Sequence, residues 1–108
     1  MKKILIISAL AFLAACTASV KMAADPAQSD VERGSKLFPA LTLSALNEGK
    51  LAYESNCGKC HGLFSPLKFN EAKWRKEVPP MAKKAKVDAN TQNLILQYVV
   101  TMNGAVVK

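Results

Sequence analysis

The chain has 108 residues, 50% of them hydrophobic, and its 15 basic and 8 acidic side chains give a formal charge of +7. That length accommodates one small domain. Its single histidine excludes any site built on two histidines of this chain, and no Ser/His/Asp set or catalytic carboxylate pair is evident.

The N-terminus reads as an export signal rather than as fold. Lys2 and Lys3 form a positive start, and Ile4 to Leu13 form an apolar run broken only by Ser8. The run is too short to span a bilayer, which takes about 20 residues. It ends in Leu13-Ala14-Ala15-Cys16, which resembles a bacterial lipobox. The resemblance implies removal of residues 1–15 and lipid attachment to the thiol and new amine of Cys16. More than one acyl chain meets the requirement for stable anchoring. Thr17, in place of an aspartate after the lipid site, implies sorting to the outer membrane of a Gram-negative cell. The other reading is an ordinary secretory signal that leaves Cys16 as a stray thiol.

Residues 16–40, rich in Ala, Ser, Asp, Gln and Pro, read as a lipidated tether for a domain over 41–108. A flexible chain of that length has a mean span of about 25–30 Å, so the domain could meet partners near the membrane. Val31-Glu32-Arg33 and Lys36-Leu37-Phe38 could form a short helix that packs on the domain. A domain this small buries too little surface to be comfortably stable alone.

The first domain helix is predicted from about Ser44 to Asn56, with Leu43, Leu46, Leu51 and Tyr53 on its apolar side. Gly49 in mid-helix costs about 1 kcal/mol relative to alanine, which asks for a packing reason. The helix delivers Cys57-Gly58-Lys59-Cys60-His61. Two cysteines separated by two residues, followed at once by histidine, read as a c-type haem attachment site. The two thiols add across the vinyl groups on one edge of the porphyrin, and the next residue then lies under the iron. A redox dithiol would follow a strand, and no strand-like run precedes Cys57. A structural zinc site of cysteine and histidine needs four ligands, and the chain has only Cys16, Cys57, Cys60 and His61.

After the motif, Gly62 to Leu67 is a turn around Pro66, with Leu63, Phe64 and Leu67 as apolar walls. Asn70 is a candidate N-cap for a helix over Ala72–Glu77 that carries Trp74. Pro79 restricts Val78, so Val78-Pro79-Pro80-Met81 is predicted to interrupt that helix. A short basic turn over Met81–Lys86 follows. Asp88 can cap a last helix over Asn90–Met102, where Leu94, Ile95, Tyr98, Val99 and Met102 recur at helical spacing, and Asn103-Gly104 closes it. No stretch alternates with period two, so the domain is predicted to be all-α.

The Cys57–His61 motif and these helices resemble a monohaem cytochrome c. The resemblance implies a small helical domain wrapped around one covalently bound haem c. Cys57 and Cys60 would be the thioether links and His61 the proximal iron ligand. It also implies that Gly49 lets the last helix cross closely against Tyr98, and it puts Pro66, Trp74 and Tyr98 in the haem pocket. A carbonyl near Pro66 would accept the far N–H of the histidine. Methionine is the usual sixth ligand in this family and raises the potential. Met81, which follows the Trp74 helix, is the candidate, and Trp74-x3-Val78-x2-Met81 resembles the spacing of one subgroup. The Pro79-Pro80 pair departs from that subgroup. Met102 on the last helix reads as core filling; an open iron site is the remaining alternative.

Loss of Lys2 and Lys3 leaves 13 basic against 8 acidic side chains, a formal +5. Lys83, Lys84 and Lys86 cluster after Met81, and Lys59 lies inside the motif. This basic surface could speed encounter with an acidic redox partner protein, bind a membrane surface, or be an ordinary solvated face. Taken together, the chain reads as a one-electron carrier rather than an enzyme, anchored in the periplasm by Cys16, with no nucleic-acid partner and no small-molecule substrate. A cytochrome subunit of an exported dehydrogenase or reductase, and a five-coordinate haem that binds a small ligand or peroxide, are the alternatives.

Overall fold

Three of the helices begin where a polar side chain stands in extended backbone and accepts the N–H three residues on. In the computed structural model, which describes residues 25–58 and 62–104, Thr42 takes the amide of Ala45 at 3.0 Å, Asn70 that of Lys73 at 2.8 Å and Asp88 that of Thr91 at 2.7 Å. The elements are α1 (Gln28–Gly34), α2 (Leu43–Cys57), a single 3₁₀ turn (Pro66–Lys68), α3 (Glu71–Ala85) and α4 (Ala89–Asn103). The described residues contain four helices and no strand, an all-α arrangement.

The centre of the packing is α4 against α2. A Cβ on Gly49 would fall on the carbonyl oxygen of Leu94 and within 2.8 Å of the Tyr98 Cβ. Glycine therefore sets how closely the two helices cross. α3 closes a third side with Trp74, Val78 and Ala82, a stripe four residues apart, all buried. Tyr53, Ile95, Tyr98, Val99 and Met102 complete that core. Leu51, expected on the inner face of α2, is instead 62% exposed, because the buried face runs through Leu46, Gly49 and Tyr53.

By composition, residues 25–40 belong to the tether, with only a short helix allowed to pack. Here α1 is docked on α4 and Val31, Asp30 and Gly34 are buried. Arg33 Nη2 donates to the Thr101 carbonyl at 2.9 Å and to Asp30 Oδ1 at 2.8 Å, so it caps the C-terminal end of α4 from across the fold. A Cβ on Gly34 would lie 2.7 Å from the side chain of Thr101. With α1 covering its outer side, α4 is buried at every residue from Tyr98 to Met102.

A second correction concerns α3. The predicted break at Val78-Pro79-Pro80 does not occur; the helix runs from Glu71 to Ala85 with both prolines inside it. The amide bonds they lack would have been accepted by the carbonyls of Arg75 and Lys76. Both residues are exposed, so water can take those two oxygens. The inner face of the same turns buries Val78 and Ala82, and that packing overrides the local preference. The helix ends at Lys86, which adopts a left-handed conformation (φ 57°). Its amide and that of Val87 return to the carbonyls of Lys83 and Ala82, a Schellman ending without a glycine.

Candidate functional site

Because α3 is unbroken, Val78, Met81, Ala82 and Ala85 fall on one helical stripe. They form one wall of a narrow, tightly lined pocket. Tyr53 and Cys57, one turn apart on α2, line it from another side, and Val87 and Ile95 complete it. The lining is hydrocarbon apart from one phenol, one thiol and one thioether. Cys57 is half-buried, and this burial pushes its thiol above the usual range, so it is held as the neutral SH.

Tyr53 is fixed rather than adaptable. Its hydroxyl donates to the Phe64 carbonyl, and its ring meets Trp74 edge-on at 6.0 Å and Tyr98 at 5.9 Å. Burial, as the largest cause, also raises its pKa far enough that the phenol stays protonated at any physiological pH. One side of the pocket is therefore anchored to the core and to the loop after Gly62.

Cys57 and Met81 are thus brought together, while Met102 is 2% exposed in the core and does not line the pocket. Cys60, His61 and Cys16 lie outside the described residues. Pro66, Trp74 and Tyr98, which the resemblance puts in the haem pocket, are buried in the core. The Pro66 carbonyl accepts Trp74 Nε1 at 2.8 Å and Asn103 Nδ2 at 3.0 Å. Both its lone pairs are engaged. Leu63 and Phe64 are half-buried against the core, and Leu67 is turned out to solvent.

Sequence reasoning missed Tyr53 as a wall, although its four-residue spacing from Cys57 was a usable signal. Val87 and Asn103 carried none, since their roles depend on how α4 docks. Charge is segregated along α3: Arg75 pairs with Glu71 at 2.8 Å and Lys73 with Glu77 at 3.7 Å. Lys83, Lys84 and Lys86, at the pocket end, are exposed and make no ion pair among the described residues.

Comparison with protein-family models, curated proteins and solved structures gives no match. Among the described residues no group of three or more His, Cys, Asp or Glu side chains could hold a metal ion, and no helix is long and apolar enough to cross a membrane. The arrangement offers two sulfur atoms in a hydrocarbon-walled pocket.

Proposed function

We propose that this chain is a lipid-anchored monohaem cytochrome c that carries one electron at a time in the cell envelope of a Gram-negative bacterium. The observation that carries this reading is that Cys57, the first residue of the haem-attachment motif, lines one apolar pocket together with Met81. The donor set fits a haem: a thiol for a vinyl group, a soft thioether for iron, and hydrocarbon walls for the macrocycle. When bound, haem supplies the Fe(III)/Fe(II) couple. Cys57 and Cys60 would hold it covalently, and His61 and Met81 would ligate its iron. Tyr53, Val78, Ala82 and Ile95 keep water from that face. The rigid anchoring of Tyr53 favours a site that reorganises little between the two oxidation states.

The lysines at the end of α3, exposed and in no ion pair among the described residues, support a redox partner with an acidic docking surface, because they lie beside the pocket. Lipidation of Cys16 would hold the protein at the membrane, the outer membrane being favoured.

The test is expression with the periplasmic haem-attachment machinery. Haem should stay with the polypeptide after denaturing extraction, and Cys57→Ala with Cys60→Ala should lose it. Cys16→Ala should keep the haem and release the protein from the membrane fraction. A wild-type protein with no covalent haem would sink the proposal, and a high-spin ferric spectrum would favour a five-coordinate site. Co-purification with a larger subunit would make it part of a fixed oxidoreductase complex.

A further inference from the structure

Residues 25–34 join α2 to α4 and are held near both ends by charge. Asp25 pairs with Lys50 of α2 at 2.8 Å, and Arg33 donates to the Thr101 carbonyl of α4 at 2.9 Å. Between these clips the segment buries two apolar side chains, Pro26 and Val31. Val31 packs with Leu41 and Leu46 in a small cluster of its own, apart from the main core of α2, α3 and α4. Gly34, at the close approach to Thr101, adds no side chain to the seam. Two buried polar atoms there, Arg33 Nε and Thr101 Oγ1, have no hydrogen-bond partner among the described residues, and each would regain water if the seam opened. The outer clip is weak, since the Asp25 side chain is 85% exposed. α1 itself has seven residues, too few to hold a helix without the surface it lies on.

We infer that residues 25–34 form a releasable strap, which undocks from α2 and α4 as one unit while those helices and α3 stay folded. Local opening takes contiguous segments that bury little apolar surface, and this segment is one. The hinge falls at Lys36-Leu37, both exposed, because Phe38 and Leu41 beyond it are packed inward. No residue of the strap lines the pocket, so the Cys57–Met81 wall is intact when the strap is off. Where the chain is anchored through Cys16, release adds residues 25–34 to the tether, at most about 35 Å at full extension. The domain then meets partners farther from the membrane with its pocket unchanged. That gain in reach rests on the anchored reading above; the opening does not.

The test is amide hydrogen exchange on the full chain expressed with the haem-attachment machinery. In the wild type, the amides of Val31–Ser35 should exchange about tenfold or more faster than those of Ile95–Val99. Val78→Ala weakens the main core, which α1 does not share, and should speed Ile95–Val99 by about tenfold or more. It should leave Val31–Ser35 as they are, because an opening that keeps the core folded gains nothing from a weaker core. Ile95→Val, a milder core change, serves if Val78→Ala does not accumulate. Arg33→Met keeps the stem but loses the donors to Thr101 and Asp30, and should speed Val31–Ser35 by about tenfold. Strap amides no faster than the core in the wild type, or strap amides that accelerate with the core in Val78→Ala or Ile95→Val, overturn the inference. So does an Arg33→Met variant whose strap exchanges at the wild-type rate. A wild type absent from the membrane fraction would sink the anchored reading and the gain in reach instead. Exchange in the same samples then decides the strap alone.

Discussion

Gly49 of α2 and Tyr98 of α4 meet where only a residue without a side chain fits: a Cβ on Gly49 would stand 2.8 Å from the Tyr98 Cβ and on the Leu94 carbonyl. Both obstacles are firm, one being backbone and the other the stem of a fully buried ring. Gly49→Ala gains about 1 kcal/mol in helix propensity. It must nonetheless push apart the largest helix contact in the fold. We expect a net loss of about 1–3 kcal/mol from overpacking, read as a lower urea midpoint. An alanine variant as stable as the wild type would show that α2 and α4 do not cross this closely.

Met81 and Met102 make opposite predictions. Met81 is half-buried and lines the pocket with Cys57, whereas Met102 is enclosed in the core. Under the haem reading, Met81→Ala loses the weak far-red absorption of a thioether-bound ferric haem, lowers the potential and opens the iron to added cyanide. Met102→Ala keeps that band and loses stability by about 2–5 kcal/mol. The ferric spectrum and a denaturation curve of each variant check this; exchanged behaviours would move the sixth ligand to Met102.

The Tyr98 hydroxyl is buried and finds no hydrogen-bond partner among the described residues. Removing an unsatisfied buried polar group relieves about 1–3 kcal/mol. Tyr98→Phe should therefore be at least as stable as the wild type at neutral pH. Burial, the largest cause, also pushes the Tyr98 pKa up to about 12, against about 10 in the unfolded chain. The stability linked to the protonated phenol is complete below pH ~10 and is lost as pH rises toward ~12. The variant should thus unfold at higher pH in an alkaline titration followed by far-ultraviolet circular dichroism. If Tyr98→Phe instead melts earlier than the wild type at pH 7, the hydroxyl has a partner.

Lys86 ends α3 in the left-handed region, at φ 57°. An L-residue with a Cβ is disfavoured there by about 1–2 kcal/mol, and glycine is not. Lys86 is exposed, so its side chain contributes little packing. Lys86→Gly should raise stability by about 1 kcal/mol in urea denaturation, while Lys86→Ala should not. Equal behaviour of the two variants would contradict the left-handed ending.

What could be read from the sequence were the features settled within a few residues of chain. Asn70 and Asp88 cap the helices they were expected to cap, since an N-cap needs only its own side chain and an amide three residues on. The span of α2 and the stripe on α4 are local in the same sense. Only the tertiary structure decided the rest. Pro79 and Pro80 should stop a helix by local rules, yet α3 continues because burial of Trp74, Val78 and Ala82 on one face outweighs two missing hydrogen bonds on the wet face. That continuity is what puts Met81 in register with Val78 and Ala85 on the pocket wall. Arg33 lies in a stretch of tether-like composition yet meets Thr101 from the other end of the chain, and the Pro66 carbonyl meets both Trp74 and Asn103. Each of these partners is remote in sequence or lies on another element, and whether a donor meets an acceptor there depends on how whole helices dock, which no local pattern encodes.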